Sequence, residues 1–327
     1  MPCYITLPLS SAVEEFTPLH SAVYVPSTGM ILGTMSNFIL EFNATTGENT
    51  RAVKALSPML GPMHLSMIGA VPYLSAHFDP SAQDADQGDV THSRNDIFPL
   101  SATTLLPGTG LGTYAKYIST GTPKDDYYAH QFISLGTRAY FLYPDRDYVH
   151  VGYIGLANPA DWRENDASGK FWSEQLCTDG TYIYTADPYW PQIRQYDADL
   201  FSVDDSDTTG YYPVGVEWAT GVGAHAVCGD KWLIRVDDFA TSANTFIDLE
   251  ASIASVVTGI RPIRLRYRST DAKLYIPVQN KDGILVYDPA SGIGAWKSGF
   301  DSPVDVVFTP SKAFAVQSGL VGLKEIV

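Results

Sequence analysis

Two runs of alternating residues flank a tight turn in the segment Ser302-Pro303-Val304-Asp305-Val306-Val307-Phe308-Thr309-Pro310-Ser311-Lys312-Ala313-Phe314-Ala315-Val316. Alternation with a period of two indicates β-strands, and a short turn between two such runs indicates a hairpin. The segment before it repeats this frame, with Arg261-Pro262-Ile263-Arg264-Leu265-Arg266-Tyr267, a turn at residues 269–272, and then Lys273-Leu274-Tyr275-Ile276 and Ile284-Leu285-Val286-Tyr287. The C-terminal part of the chain is therefore predicted to consist of antiparallel β modules.

The same frame recurs along the whole chain. If the first hairpin turn serves as the marker, seven units lie at Gly29, Gly69, Gly136, Gly180, Asp230, Asp271 and Ser311. Most intervals are about 40 to 50 residues, the length of one four-stranded propeller blade. The long interval after Gly69 contains a polar stretch at about residues 79–96, which we interpret as an inserted loop. We predict an all-β fold, a seven-bladed β-propeller that forms a single domain over residues 1–327.

The spacing across the chain ends predicts how the fold closes. Strands at residues 312–317 and 320–326 leave the last blade incomplete, and the residues before Gly29 supply the rest of about one blade period. We expect the N-terminal strand, at residues 3–9, to form the outer strand of the last blade and so remove an open sheet edge. One short helix candidate, at residues 249–257, is expected to form a single turn.

The composition excludes several classes of partner. The 36 Asp and Glu residues outnumber the 21 Lys and Arg residues and give a net charge of −15, which repels nucleic acid and anionic lipid. We find neither an export signal nor a membrane-spanning apolar segment, so we expect a location in a virion or in the cytoplasm. Cys3, Cys177 and Cys228 are too few for a disulfide framework and are predicted to be buried thiols.

Alignment of the units places a polar residue near the start of each predicted innermost strand. We expect these residues to line an axial channel: His20, His64, Gln131, Gln175, His225, Arg264 and Asp305. In one interpretation the channel is hydrated and ordered water satisfies its polar walls. In a second, the three histidines hold a metal or a small anion together with Asp305. In a third, the ring is part of a substrate pocket. Because the histidines fall on separate blades, we assign no cofactor or metal to this ring.

Two acidic segments have oxygen ligands at the spacing of calcium loops. They contain Asp84, Asp86 and Asp89, and Asp204, Asp205 and Asp207. Both lack the bidentate Glu that usually completes such a loop, so we interpret them as solvated loops and keep calcium binding as the alternative.

Aromatic residues in or beside loops are candidates for an interface with protein or glycan, with packing inside blades as the alternative: Tyr127, Tyr128, Tyr189, Trp190, Tyr211 and Tyr212.

The repeat unit has a recognisable pattern, Pro-x-x, a hairpin turn, x-Tyr-Val and then x-Val-Tyr-Asp-x-x-x-Gly, as at residues 285–292. This pattern resembles the NHL and YVTN classes of propeller repeat. The resemblance spans most of the chain and implies a repeat protein that binds partners. It implies no reaction.

The sequence contains no motif that names a reaction. A Gly-x-Ser-x-Gly elbow and a His-Glu-x-x-His motif are both absent, and neither Cys177 nor Cys228 has a basic or histidine setting. We therefore predict a non-catalytic structural or interaction protein, not an enzyme. Within this class we favour a multi-copy bacteriophage virion component, a tail or capsid-surface protein that binds other virion subunits, other proteins or glycan. The alternative is a metal-dependent hydrolase or lactonase-like propeller enzyme with its site at the channel mouth.

Overall fold

A computed structural model describes residues 4–7, 19–35, 38–55, 59–78, 94–111, 131–145, 148–158, 160–165, 175–188, 190–208, 211–253, 257–319 and 322–327. The chain divides into two compact units, Met1–Glu164 with Val321–Leu323, and Asn165–Leu320 with Lys324–Val327. Among the described residues, no helix is long and apolar enough to cross a membrane.

The first unit contains three β-sheets. Sheet 1 consists of β1 (Tyr4–Leu7), β2 (Leu19–Val25), β3 (Met30–Met35), β4 (Phe38–Asn43) and β5 (Asn49–Ala55). Sheet 2 consists of β6 (Met59–Ile68), β7 (Val71–Phe78) and β8 (Arg94–Pro99). Sheet 3 consists of β9 (Gln131–Leu135), β10 (Arg138–Asp145), β11 (Tyr148–Gly155) and β12 (Trp162–Asn165).

The second unit contains four β-sheets. Sheet 4 consists of β13 (Leu176–Thr178), β14 (Ile183–Asp187), β15 (Gln192–Tyr196) and β16 (Ser202–Asp207). Sheet 5 consists of β17 (Pro213–Ala219), β18 (Gly223–Cys228), β19 (Trp232–Asp238) and β20 (Ala243–Asp248). Sheet 6 consists of β21 (Arg266–Arg268), β22 (Lys273–Val278), β23 (Gly283–Asp288) and β24 (Ile293–Ser298). Sheet 7 consists of β25 (Pro303–Phe308), β26 (Ala313–Gln317) and β27 (Leu323–Glu325).

The seven sheets confirm the predicted fold class, an all-β seven-bladed propeller. Apart from β1, neighbouring strands within a sheet follow one another in the chain, and they pair antiparallel as hairpin-linked strands do. The assignment of residues 1–327 to a single domain stays a prediction.

Within each unit the hydrophobic core lies between consecutive sheets, because the sheets bury apolar residues on both faces. In the second unit, Cys177 and Tyr184 of sheet 4 pack with Val216 and Ala226 of sheet 5. The opposite face of sheet 5 contributes Val227 to a cluster with sheet 6. The first unit follows the same plan, with one cluster between sheets 1 and 2 and another between sheets 2 and 3. Residues on both faces of a strand therefore determine how neighbouring blades pack.

A single helical turn, α1 (Leu249–Ser252), follows β20, as the sequence predicts. The side chain of Asp248 caps it by accepting hydrogen bonds from the backbone N–H groups of Glu250 and Ala251.

The predicted inserted loop ends earlier than expected, because Arg94 begins β8 and pairs with Phe78 of β7. Residues 79–93 of that loop lie outside the described residues.

The predicted closure of the last blade is wrong. The N-terminal strand β1 pairs with β5 of sheet 1, in a register that sets Tyr4 opposite Ala55 and Leu7 opposite Ala52. It is the fifth strand of sheet 1 and not a strand of sheet 7. The physical reason is that β5 has seven residues and offers a long free edge, whereas β27 of sheet 7 has three.

One of the seven predicted turn markers is also wrong. Asp230 lies between β18 and β19, so it marks the second hairpin of sheet 5 and not the first. The first hairpin turn of that sheet contains Gly221, whose φ of 80° is the left-handed conformation that glycine adopts without strain. Both segments carry a Gly-containing turn signal, and spacing alone did not distinguish them.

Candidate functional site

In the first unit, two of the predicted channel residues are buried polar side chains. His64 on β6 is 4% exposed and packs edge-on against Phe132, with 5.6 Å between the ring centroids. Gln131 begins β9 and is 1% exposed. His20 lies in β2, but its side chain is outside the described part of the chain. That these three residues line a channel stays a prediction.

In the second unit, the fold brings three of the predicted residues into one group. Gln175 directly precedes β13, Arg264 precedes β21, and Asp305 lies in β25. Two residues that the sequence analysis missed complete the group, Glu217 on β17 and Arg266 on β21. These five residues, which we call the first-strand cluster, lie on or beside the first strands of four consecutive sheets.

Asp305 anchors the two arginines of the first-strand cluster. Arg266 donates from Nε to Oδ1 and from Nη2 to Oδ2 of Asp305, both at 2.8 Å, in a bidentate arrangement. Arg264 adds a bond from Nη1 to Oδ2 at 2.8 Å, and the backbone N–H of Val306 donates to Oδ1. Burial would raise the pKa of Asp305, but the Arg266 and Arg264 guanidinium groups outweigh it and hold that pKa well below its usual range. Asp305 is therefore an ionised group that fixes both guanidinium groups in place.

Gln175 joins the strands that carry the cluster. Its Nε2 donates to the carbonyl oxygen of Leu265 at 2.6 Å, and its Oε1 accepts from the backbone N–H of Leu265 at 3.2 Å. The same Nε2 also donates to Oε2 of Glu217 at 3.3 Å. The buried Gln175 amide thus pairs with both backbone groups of Leu265, a residue 90 positions away in the sequence. These bonds hold β13 against the segment that precedes β21.

Glu217 is the residue of the cluster whose charge changes near neutral pH. Its side chain is half-buried, and Oε1 accepts a long bond of 3.3 Å from the backbone N–H of Trp218. Burial raises the pKa of Glu217 to about 7, although the nearby Arg266 guanidinium acts in the opposite direction. Glu217 and Arg266 form no direct ion pair in the described structure, and Arg266 acts on Glu217 through its charge alone. A carboxyl that is half-ionised at neutral pH is suited to accept and return a proton.

Gly215 permits the close approach on which the cluster depends. A Cβ atom at this position would lie 2.8 Å from the carbonyl oxygen of Ile263 and 3.0 Å from Oε1 of Gln175. Both distances are shorter than van der Waals contact allows. A side chain at position 215 would therefore separate β17 from the chain that leads into β21.

A local signal for the two missed residues exists in the sequence. Pro213-Val214-Gly215 has the same frame as Pro262-Ile263-Arg264 and Pro303-Val304-Asp305. Glu217 lies two residues after Gly215, and Arg266 lies two residues after Arg264. The segment around His225 has a similar turn after it and was taken as the fifth unit, so β17 was not recognised as a first strand.

The prediction that His225 begins an innermost strand is wrong. His225 lies on β18, the second strand of sheet 5, where it pairs in register with Glu217 of β17. It is fully buried, and its Nδ1 lies 3.0 Å from the carbonyl oxygen of Gly223. Burial lowers the pKa of His225 to about 4, so the imidazole is neutral at physiological pH.

The acidic candidates divide between described and undescribed residues. Asp204, Asp205 and Asp207 form part of β16 and pair in register with β15, so the prediction that they lie in a loop is wrong. Alternation along a strand sends neighbouring side chains to opposite faces, so Asp204 points away from the face that Asp205 and Asp207 share. Asp84, Asp86 and Asp89 lie outside the described residues. Within the part of the chain that the structure describes, no group of three or more His, Cys, Asp or Glu is placed to hold a metal ion.

The aromatic candidates have different surroundings. Tyr211 is half-buried and packs against Trp232 and Phe246, with ring centroids 5.2 and 5.0 Å away. Trp190 and Tyr212 are 52% and 60% exposed. Tyr127, Tyr128 and Tyr189 lie outside the described residues. Partner binding at these aromatic residues stays a prediction.

The structure confirms the predicted state of two cysteines. Cys177 and Cys228 are free and buried, on β13 and β18 of neighbouring sheets. Burial raises the pKa of both thiols, to about 12 for Cys228. Cys3 lies outside the described residues. Neither described thiol is therefore a reactive nucleophile.

Comparison with known proteins supports the fold and not a family. No protein-family model matches the chain, and no curated protein matches it. Among solved structures, virginiamycin B lyase from Staphylococcus aureus is similar with a TM-score of 0.66 and 14% identity, over 100% of both chains. A streptogramin B lyase is similar with a TM-score of 0.68 and 12% identity, over 99% of this chain and 98% of that one. A chain of the mitotic checkpoint complex is similar with a TM-score of 0.65 and 9% identity, over 99% and 94%.

These similarities change the functional interpretation. The prediction that the chain is not an enzyme is contradicted, because structures that share its fold over nearly the full length are lyases. The resemblance to NHL and YVTN repeats has no support from a family model. The virion location and the assembly partners stay predictions.

Proposed function

We propose that the chain is an enzyme of the lyase type in which Glu217 transfers a proton at a carbon next to a carbonyl group. The observation that carries the proposal is the half-buried Glu217 carboxyl, with a pKa raised to about 7, beside the Arg266 guanidinium. A general base is most effective when its pKa lies near the working pH, because it is then both available and sufficiently basic. The two lyases of similar fold support the choice of reaction class.

The proposed reaction has a base and a cation in fixed positions. The Glu217 carboxylate removes the proton from the carbon α to the carbonyl, and the electron pair of that C–H bond moves toward the carbonyl oxygen. Arg266 stabilises the negative charge that develops there, because Asp305 has already fixed its guanidinium in place. The electron pair then forms a double bond between the α and β carbons as the bond to the leaving group breaks. The leaving group takes its electron pair and the proton that Glu217 holds.

The test is a substrate panel in D₂O. The panel contains streptogramin B and virginiamycin B, simple esters and lactones, and carboxylates with a leaving group on the β carbon. Proton NMR reports deuterium exchange at the α carbon, and mass spectrometry identifies the products. Elimination gives products whose masses add up to that of the substrate, whereas hydrolysis adds one water.

Glu217→Gln is the matched variant, because it preserves the shape of the side chain and removes its basicity. We expect it to lower the rate by about 10² to 10⁴-fold, the usual contribution of a positioned base. The control is Glu48→Gln, which changes an exposed glutamate in the first unit and should leave the rate unchanged. Equal rates in wild type and Glu217→Gln, products that contain added water, or no turnover of any compound would overturn the proposal.

A further inference from the structure

We propose that His225 is a positioning residue for Glu217, and that its Nε2 atom accepts a hydrogen bond from the Glu217 carboxyl when that carboxyl carries the proton. The inference rests on the proposed function for its meaning, because it describes how the protein holds the base after the base has taken its proton. The contact itself is a property of the folded protein and is measured without substrate.

Glu217 and His225 are direct neighbours on one face of sheet 5. Glu217 of β17 pairs in register with His225 of β18. Residues next to them in the chain, Val216 and Ala226, pack in the hydrophobic cluster with sheet 4, so alternation sends Glu217 and His225 to the opposite face. Residues directly opposite each other on antiparallel strands have Cβ atoms about 4.5 to 5.5 Å apart. A carboxyl and an imidazole at these two positions are therefore within reach of each other.

The imidazole of His225 has a hydrogen-bond acceptor at Nε2. Its Nδ1 lies 3.0 Å from the carbonyl oxygen of Gly223, which can only accept a hydrogen bond, so Nδ1 carries the proton of the neutral ring. Nε2 then carries a lone pair. It is buried, and within the part of the chain that the structure describes it has no hydrogen-bond partner. A buried polar atom without a partner costs free energy, so a donor beside Nε2 stabilises the fold.

The Glu217 carboxyl needs an acceptor only in its protonated form. Nε2 of Gln175 and the backbone N–H of Trp218 both donate to it, each at 3.3 Å. The protonated carboxyl also has an O–H group to donate, and neither of these donors can receive that bond. Protonation of Glu217 thus supplies the donor that Nε2 of His225 lacks. A hydrogen bond to the protonated form favours that form.

The charged groups around Glu217 keep their state while Glu217 titrates. Arg266 of β21 is fixed by its bidentate pair with Asp305 of β25. Although burial acts in the opposite direction, the arginines hold the pKa of Asp305 well below its usual range. Burial raises the pKa of the Cys177 thiol on β13, so this group stays protonated. A change in the carboxyl between pH 6 and pH 8 therefore belongs to Glu217.

The groups around His225 also keep their charge in this range. Arg235 of β19 pairs in register with His225 and donates from Nε to Oδ1 of Asp237 at 2.7 Å. Burial would raise the pKa of Asp237, but hydrogen bonds from Thr245 and Arg235 lower it. Tyr287 of β23 stays a phenol because burial raises its pKa. Burial lowers the pKa of His225 itself to about 4, so the ring is neutral between pH 6 and pH 8.

The experiment follows both groups by NMR in the intact protein, with ¹³C in the glutamate carboxyls and ¹⁵N in the histidine rings. Glu217→Gln assigns the Glu217 carbon by its loss. We expect this carbon to titrate at about pH 7, and the Nε2 resonance of His225 to move upfield with the same midpoint as the pH falls. The Nδ1 resonance should remain that of a protonated nitrogen. In Glu217→Gln the Nε2 resonance should not change between pH 6 and pH 8.

His225→Phe keeps a planar ring and removes the acceptor. It should lower the midpoint of Glu217 by about one pH unit, the contribution of one neutral hydrogen bond. His225→Gln places an acceptor oxygen near the position of Nε2 and should restore the midpoint. The control is Val227→Ala, a buried residue on the same strand and the same face, which should lower the stability and leave the midpoint unchanged.

Several results would overturn the proposal. They are an Nε2 resonance that does not follow Glu217 in the wild type, the same movement of that resonance in Glu217→Gln, and a Glu217 midpoint in His225→Phe at or above that of the wild type. A midpoint that His225→Gln does not restore would assign the change to packing and overturn it as well. If His225→Phe does not fold, the spectra of the wild type and of Glu217→Gln still decide.

The two proposals fail in different ways. If a compound is turned over, the midpoint of the pH–rate profile should fall in His225→Phe by the same amount as the Glu217 midpoint. A shared midpoint for Glu217 and Nε2 without turnover of any compound would keep the contact and remove the lyase. Glu217-dependent turnover with an Nε2 resonance that does not follow Glu217 would keep the lyase and remove the role of His225.

Discussion

Replacement of Glu217 by Gln should stabilise the protein at pH 8 and have little effect at low pH. The native state raises the pKa of this carboxyl from 4.5 to about 7. Between these values the folded protein binds the proton and the unfolded chain releases it, so stability falls as the pH rises through this range and is constant above it. At about 1.36 kcal/mol per pKa unit, the ionised side chain lowers the free energy of unfolding at pH 8 by about 3 kcal/mol. Gln resembles the protonated form and avoids this loss.

The assay is urea unfolding of wild type and Glu217→Gln at pH 5 and pH 8, followed by tryptophan fluorescence. At pH 5 the variant should exceed the wild type by about 1 kcal/mol, because this pH lies only slightly above the unfolded-state pKa of 4.5 and most of the penalty has yet to develop. At pH 8 the difference should grow to about 3 kcal/mol. Other titrating groups, including His225, are the same in both proteins and cancel in the comparison. Glu48→Gln, on an exposed turn, is the control for a glutamate change without burial.

A difference between wild type and Glu217→Gln that is the same at both pH values would refute the reasoning. It would mean that Glu217 ionises in the native protein as it does in water. A variant less stable than the wild type at pH 8 would refute it as well, since the ionised carboxylate would then be stabilised by Arg266 more than it is penalised by burial.

Four further predictions concern the packing and the edges of the sheets. Gly215→Ala should lower the free energy of unfolding by about 1 to 3 kcal/mol in urea titrations, because its Cβ would meet the Ile263 carbonyl at 2.8 Å. Asp305→Asn should cost about 3 to 5 kcal/mol in the same assay, since two half-buried guanidinium groups lose their anion; a loss below 1 kcal/mol contradicts it. In a Cys3→Ser background, Ellman's reagent at pH 8 should find no reactive thiol until urea exposes Cys177 and Cys228, which are 3% and 1% exposed. Deletion of residues 1–7 should lower the melting temperature by less than about 4 °C, because sheet 1 keeps four strands; a larger fall would mean that β1 has a closing role.

The number of blades and most hairpin turns could be predicted from the sequence. Alternation and turn residues act over a few positions, so the segment at residues 302–316 already indicates β25, a turn and β26. The same local signal failed in sheet 5, where the turn at Gly221 and the turn at Asp230 look alike. The choice between them depends on which strand packs against β13 and β21, and that contact is not local.

The candidate site was only partly predictable for the same reason. Gln175, Arg264 and Asp305 follow from the repeat frame. Their two neighbours in the cluster, Glu217 and Arg266, come close to them only because strands from different sheets meet. Arg266 was visible in the sequence as an ordinary strand residue. Its bidentate bond to Asp305 joins positions 39 residues apart, and the bond of Gln175 to Leu265 joins positions 90 apart.

The sequence by itself determined the period, the number of modules and the strand-and-turn pattern, because backbone preferences and alternation are properties of neighbouring residues. Only the tertiary structure decided that β1 joins sheet 1, that His225 lies on a second strand, and that Glu217 comes near Arg266. It also decided the pKa of Glu217, because the loss of water around that carboxyl depends on chain segments that come together only when the sheets pack.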